Sequence, residues 1–347
     1  MTRDTTGWAL LGPGEQLVPW EFARRDLRAD DLAVKVTFCG VCHSDLHAID
    51  GAAAADLPLV PGHEFVGEVV AVGDAVSRFV AGDAVAVGNI IDSCGVCASC
   101  LGERQQFCEQ VPTTTYGGRD RLDGTTTRGA YASEYVVRER FVYKLPAALD
   151  PAGVAPLMCA GVTVWDPLRH WGVGPGTTVG VVGLGGLGHL AVKFAKALGA
   201  RVEVFTTSPG KTKASITLGA DAVVLSTDHD AMAAVGGRFD FIIDTVSAAH
   251  DPSPYLRALA PDATLCVLAI PDEPWQVDPM SLLVGRKSLA STGSGGIRST
   301  QEMLDFAAEH GIVADVEVLP AAKVNQALTR LARNDVRYRF VLDMLDA

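Results

Sequence analysis

Apolar residues in the first 150 positions come in short runs of strand length. The segments 32–38, 67–72, Ala84–Val87 and 135–137 are valine-rich and are separated by Gly, Pro and Asp, which predicts a β-rich domain. Near Pro151 the pattern changes. From Thr178 onward strands alternate with helical periodicity: a strand at Thr178–Val182, a helix over 187–198, a strand at 202–205, then strands at Ala222–Leu225, 241–244 and 264–268. That rhythm predicts a parallel sheet with helices on both faces. Beyond residue 300 it breaks off. Two helical patterns at 300–309 and 322–332 and a closing strand at 338–342 predict that the C-terminus rejoins the first domain. No run of about 18 apolar residues predicts a membrane span, and residues 1–11 hold no apolar core of a secretion signal. A cytoplasmic protein is expected.

Length and charge then narrow the partners. A chain of 347 residues predicts two domains, and 48% hydrophobic with 20% charged residues excludes wholesale disorder. The balance of 29 basic against 41 acidic residues, net −12, argues against nucleic acid or an anionic membrane surface as partner. Of eight cysteines, Cys94, Cys97, Cys100 and Cys108 crowd into one segment with spacing C-x2-C-x2-C-x7-C. Four thiolates on a short polar loop close a tetrahedral shell around zinc and leave no position for water, so this site is structural.

Gly183-Leu184-Gly185-Gly186-Leu187-Gly188 follows one predicted strand and opens a helix, with the next strand in place. There the backbone can approach a dinucleotide pyrophosphate at a helix N-terminus. The end of the second strand chooses the cofactor. Where an acid would hydrogen-bond a ribose 2′-hydroxyl and repel a 2′-phosphate, the chain has Thr206, then Thr207, Ser208 and Lys211. NADPH is expected over NADH. Cys42, His63 and Cys159 obey no spacing rule, and singly each could be a buried thiol or a satisfied histidine. Together, two thiolates and an imidazole would leave zinc one open, catalytic position.

The runs GVCHSDLH (40–47), PGHEFVGEV (61–69), LMCAGVT (157–163), GLGGLGH (183–189), DTV (244–246) and NDVRYRFVLD (334–343) flank the four-cysteine segment in order. With these, the chain resembles the zinc-dependent medium-chain alcohol dehydrogenases, in the cinnamyl alcohol dehydrogenase-like branch that includes bacterial NADPH-dependent aldehyde reductases. The resemblance implies an α/β protein. A GroES-like β-rich catalytic domain would take residues 1–158 and 296–347, with the structural zinc lobe at about 90–110, and a doubly wound Rossmann NADP-binding domain 159–295. It implies a homodimer, two zinc ions per chain, NADP(H) and a small aldehyde or alcohol substrate. By position, Cys42, His63 and Cys159 match the catalytic zinc ligands, Glu64 the acidic neighbour that can approach the metal, and Asp45 the carboxylate that orients a ligating histidine. Ser44 and His47 match the proton relay. His43 and Thr163 match cofactor contacts, and Thr207, Ser208 and Lys211 those to the 2′-phosphate.

The chain departs from relatives where they line the substrate pocket. Relatives carry a bulky residue where this chain has Gly51 and the alanines 52–55, and a Gly-Ser-bulky-Ile-Gly run where it has Ser291-Thr292-Gly293-Ser294-Gly295. Ala52, Gly293 and Ser294 therefore predict a wider, more polar pocket, suited to a bulky aldehyde, unless the changes are neutral. Reduction of an alkene or iminium ion on the same fold competes with this reading, as does non-catalytic NADPH binding. The intact Ser44 and His47 argue against both.

Overall fold

The computed structural model describes residues 3–53, 56–271 and 274–345. Ala54 and Ala55 of the small-residue run lie outside them. The chain forms two compact units, Met1–Cys159 with Gly295–Ala347, and Ala160–Ser294.

The first unit is built on a seven-stranded sheet. Its spine runs Val316–Pro320, Arg339–Asp343, Asp31–Val41, Phe65–Val72, Ala84–Val87, Val142–Lys144, and Glu134–Arg138 also pairs with Asp31–Val41. The last strand lies antiparallel to Asp31–Val41, with Leu342 opposite Cys39, so the C-terminus does return to the first part of the chain. Asp31–Val41 runs three residues beyond its expected end, because Cys39, Gly40 and Val41 go on alternating across a sheet buried on both faces. The hairpin of Arg3–Ala9 and Val18–Arg24 and the edge strand Val316–Pro320 were not legible in the pattern. Their alternation is inverted: Thr5, Gly7 and Arg24 lie buried while Val18 and Val318 are exposed. Tyr131, Tyr135, Phe65, Phe141 and Phe340 fill the core.

The second unit is a six-stranded parallel sheet in the order Ala222–Leu225, Arg201–Thr206, Thr178–Val182, Phe239–Asp244, Leu259–Val267, Ser288–Ser291. The strand order reverses between Thr178–Val182 and Phe239–Asp244, and in such sheets ligands bind at the carboxyl ends of the strands flanking that point. The helix Gly188–Ala197 covers the central strand with a wholly buried run from Gly188 to Val192. Ser288–Ser291 is too short and polar to read as a strand from sequence. Among the described residues no helix is long and apolar enough to cross a membrane.

Candidate metal and cofactor sites

In the first unit, strand end, helix start and turn bring Cys42, His63 and Cys159 together. Cys42 follows Asp31–Val41 and caps the helix His43–Asp50; His63 precedes Phe65–Val72; Cys159 follows the 3-10 turn Ala155–Met158. Cys42 Sγ lies 3.9 Å from Cys159 Sγ, and His63 Nε2 lies 3.2 Å from Cys159 Sγ. Two thiolates on a tetrahedral zinc, with bonds of about 2.3 Å, stand ~3.8 Å apart. The donor set thus fits zinc in chemistry and in sulfur spacing. The bond from Cys159 holds the Cys42 thiol well below its ordinary pKa, and Arg339 and His63 reinforce this against burial. Cys159 is raised by the same bond and by burial.

Asp45, fully buried, is the organiser behind the set. One carboxylate oxygen accepts from the Gly62 N–H and from His63 Nδ1, both at 3.1 Å; the other accepts from the Cys42 N–H at 2.9 Å and from the Tyr131 hydroxyl at 3.1 Å. An ionised carboxylate only accepts, so His63 carries its proton on Nδ1 and turns Nε2 toward the thiols. Glu64, next in the chain, is buried with neither oxygen hydrogen-bonded, and its nearest cation is Arg339 Nη1 at 3.7 Å. Burial raises the Glu64 carboxyl to about 8 against the pull of Arg339. Burial also works to lower the pKa of Arg339, but Glu64, Cys42 and Cys159 outweigh it and raise it. Both Glu64 oxygens thus keep acceptor capacity that no protein donor uses.

Ser44 and His47 are exposed on one face of His43–Asp50, three residues apart, and Ser44 Oγ lies 3.7 Å from Cys42 Sγ. His43 is half-buried, and burial lowers its pKa. Neither Arg339, which opens the strand Arg339–Asp343, nor Tyr131, in the bend before Glu134–Arg138, was singled out for this centre, since no spacing ties either to its ligands.

The four-cysteine lobe is a second, separate donor set. The sulfurs of Cys94, Cys97, Cys100 and Cys108 lie within 4.8 Å of one another, with Cys94 to Cys100 at 3.8 Å. Backbone N–H groups point into it, from Cys97 to Cys94 Sγ at 3.4 Å and from Cys100 to Cys97 Sγ at 3.5 Å. Such bonds lower the Cys94 and Cys97 thiols, which suits thiolate ligation. Zinc fits here with all four positions filled by protein.

In the second unit the glycine turn leaves Thr178–Val182 at the switch point. Gly183 has φ +86°, and a Cβ at Gly188 would stand 2.2 Å from the Gly183 carbonyl, so both positions demand glycine. Leu184 is buried, Gly186 and Leu187 are half-buried, and Gly185 is exposed with open space beside it, as a backbone-binding turn requires. Lys211 Nζ donates to the Leu184 carbonyl at 3.2 Å, which holds the ammonium beside that turn. Thr206 is buried and its hydroxyl accepts the Ser208 N–H at 3.1 Å; Thr207 and Ser208 are exposed. Thr206 thus shapes the loop while its neighbours face outward.

Of the small pocket residues, Ala52 packs on the apolar core of the first unit. In the second unit the Ser294 N–H donates to Thr163 Oγ1 at 3.1 Å. Ser294, not Gly293, is the residue in the left-handed region, at φ +63°. A Cβ at Gly293 would meet nothing within 4 Å, so neither the backbone nor packing requires glycine there.

Two family models match the chain: "Alcohol dehydrogenase GroES-like domain" over residues 28–147 and "Zinc-binding dehydrogenase" over residues 186–309. The probable cinnamyl alcohol dehydrogenase 6 of Arabidopsis thaliana is 46% identical over 97% of this chain and 93% of its own length. A cinnamyl alcohol dehydrogenase from Sorghum bicolor matches with a TM-score of 0.94 at 44% identity, covering 99% of this chain and 98% of that one. The CAD of Helicobacter pylori complexed with NADP(H) matches with a TM-score of 0.92 at 31% identity, covering 99% of each chain.

Proposed function

Because the chain belongs to the zinc-dependent medium-chain alcohol dehydrogenases, in the cinnamyl alcohol dehydrogenase branch, we propose that it interconverts aldehydes and alcohols with NADP(H). The observation that carries this reading is the convergence of Cys42, His63 and Cys159 into a three-ligand set, which would leave a tetrahedral zinc one position for substrate or water. The NADP(H)-bound relative supports the choice of cofactor. When bound, zinc supplies Lewis acidity toward a carbonyl oxygen, and NADPH supplies hydride.

The chain's own residues do the rest. Cys42, His63 and Cys159 would hold the metal, and Asp45 keeps His63 in the ligating tautomer. Ser44 gives a proton to the substrate oxygen, and His47, one turn along the same exposed face, restores it from solvent. Glu64, buried next to His63 in the chain, would offer the metal a carboxylate as a fourth ligand when its water or substrate is displaced. Cys94, Cys97, Cys100 and Cys108 would hold the structural zinc. In the second unit the turn from Gly183 to Gly188 receives the pyrophosphate at the start of the helix, and Thr207, Ser208 and Lys211 take the 2′-phosphate.

Turnover tests the reading. NADPH consumption is followed with acetaldehyde, cinnamaldehyde and branched or polycyclic aldehydes, and products of the unsaturated ones are analysed. The expected product keeps its C=C bond and carries a new hydroxyl. Open space at Gly293 favours the bulkier aldehydes in kcat/KM. Reduction at C=C alone, or NADPH binding without turnover, would overturn the proposal. We also infer a cytoplasmic homodimer. Eight free thiols suit a reducing compartment. The edge strand Ser288–Ser291, with Met280, Leu283, Val284 and Leu289 exposed near it in sequence, offers an apolar edge for a second copy. Sedimentation should show a dimer, and Leu289→Asp a monomer.

A further inference from the structure

We propose that Tyr131 is a positioning residue of the metal centre, acting through Asp45 to hold His63 in its ligating orientation; this rests on the reading of Cys42, His63 and Cys159 as a zinc site. Three observations in the first unit converge on it. Tyr131 is wholly buried, and its hydroxyl donates to Asp45 Oδ2 at 3.1 Å. Its backbone N–H donates to the Pro61 carbonyl at 3.0 Å, which pins the residue to the segment that carries His63. Its ring packs on Gly62: a Cβ there would stand 2.6 Å from Tyr131 Cδ1, and Gly62 at φ +97° turns the chain into His63.

The accounting at Asp45 shows what the hydroxyl does. Each carboxylate oxygen accepts two close hydrogen bonds, and the Tyr116 hydroxyl also bonds to this carboxylate; three of the four close donors are the Cys42 N–H, the Gly62 N–H and His63 Nδ1. All three belong to, or adjoin, the metal ligands. The Tyr131 hydroxyl is the fourth, and it comes from outside the ligand segments. It fixes the carboxylate in rotation, so that one oxygen stays on His63 Nδ1 while the other caps the helix behind Cys42. Without it Oδ2 loses one of its two close donors, the Cys42 N–H remaining, and the carboxylate holds His63 Nδ1 less firmly.

The test uses the zinc-loaded full chain and reads metal release to a chromophoric chelator. Outer-shell partners of ligating histidines are worth about ten- to a hundredfold in metal affinity. Tyr131→Phe keeps the ring on Gly62 and removes only the hydroxyl, so it should release the labile zinc roughly tenfold faster. Release from the four-cysteine lobe should not change. In an Asp45→Asn background Tyr131→Phe should add little, because the two residues act in series. Wild-type release from Tyr131→Phe would overturn the proposal, as would a full, additive effect in the double variant. Should Asp45→Asn not fold, the single-variant release rates decide alone. The readout is metal release, so absent turnover on every aldehyde would refute the proposed function and leave this result standing.

Discussion

Lys211 and His250 show how much one side chain can decide. The Lys211 ammonium is tethered to the Leu184 carbonyl, and that bond holds it beside the glycine turn before any cofactor arrives. A charge-assisted hydrogen bond to a phosphate is worth about 1.5–3 kcal/mol, or roughly ten- to a hundredfold. Lys211→Ala should therefore raise the Kd for NADPH by that factor and leave NADH nearly unchanged, as measured by titrating both. Equal loss for both cofactors would mean that the tether matters only to the loop. His250 makes two bonds, Nε2 to Asp244 Oδ2 and Nδ1 to the Ala248 carbonyl, each at 2.8 Å. Both partners are acceptors, so the doubly protonated ring satisfies them best. The bond to Asp244 raises the His250 pKa against the pull of burial. A raised folded pKa stabilises fully below the unfolded value of about 6.5 and is lost as pH rises through the folded one. Thermal unfolding at a series of pH values should show wild type leading His250→Gln most in the acidic range, with the lead shrinking upward. A difference independent of pH would refute this.

Among the elements, the helix Ile297–His310 is capped from elsewhere in the chain. Its N-cap is Gly296, which has no side chain to accept the first N–H groups. Instead Gln105, buried between Cys100 and Cys108, accepts the Ile297 N–H with Oε1 at 2.9 Å and donates from Nε2 to the Cys100 carbonyl at 3.3 Å. The metal lobe thus supplies the cap of a 14-residue helix. Gln105→Leu fills similar space but leaves that N–H unpaired, a loss of about 1–3 kcal/mol. Urea unfolding should show it, and amide exchange should quicken at the first turn of the helix. Removing the lobe's zinc from the wild type should quicken the same amides. If exchange there follows neither change, the cap is incidental.

For the whole molecule, the two donor sets predict two zinc ions per chain of unequal lability. The four-cysteine set is closed, whereas the set of Cys42, His63 and Cys159 keeps a position for water or chelator. Elemental analysis should give a ratio near two, and Cys159→Ala should remove one ion and leave a folded protein. A brief chelator treatment should do the same to the wild type. One tightly held ion in both proteins would contradict the two-site reading.

What can be read along the chain here is what repeats or clusters locally. Strand and helix periods marked most elements of both units, because burying one face writes its period into the sequence. C-x2-C-x2-C-x7-C and the turn from Gly183 to Gly188 carry their geometry in a few consecutive residues. The elements that escaped, such as Ser288–Ser291 and Val316–Pro320, are short edge strands whose exposed residues write no period. Tertiary structure alone brought Cys42 to Cys159, 117 residues away, through a strand end and a 3-10 turn that no spacing links. It alone set Arg339 beside Glu64, Tyr131 on Asp45 and Gln105 over the start of a distant helix. A buried polar residue is placed by its partner, and a partner many tens to hundreds of residues away leaves no mark on the neighbouring sequence.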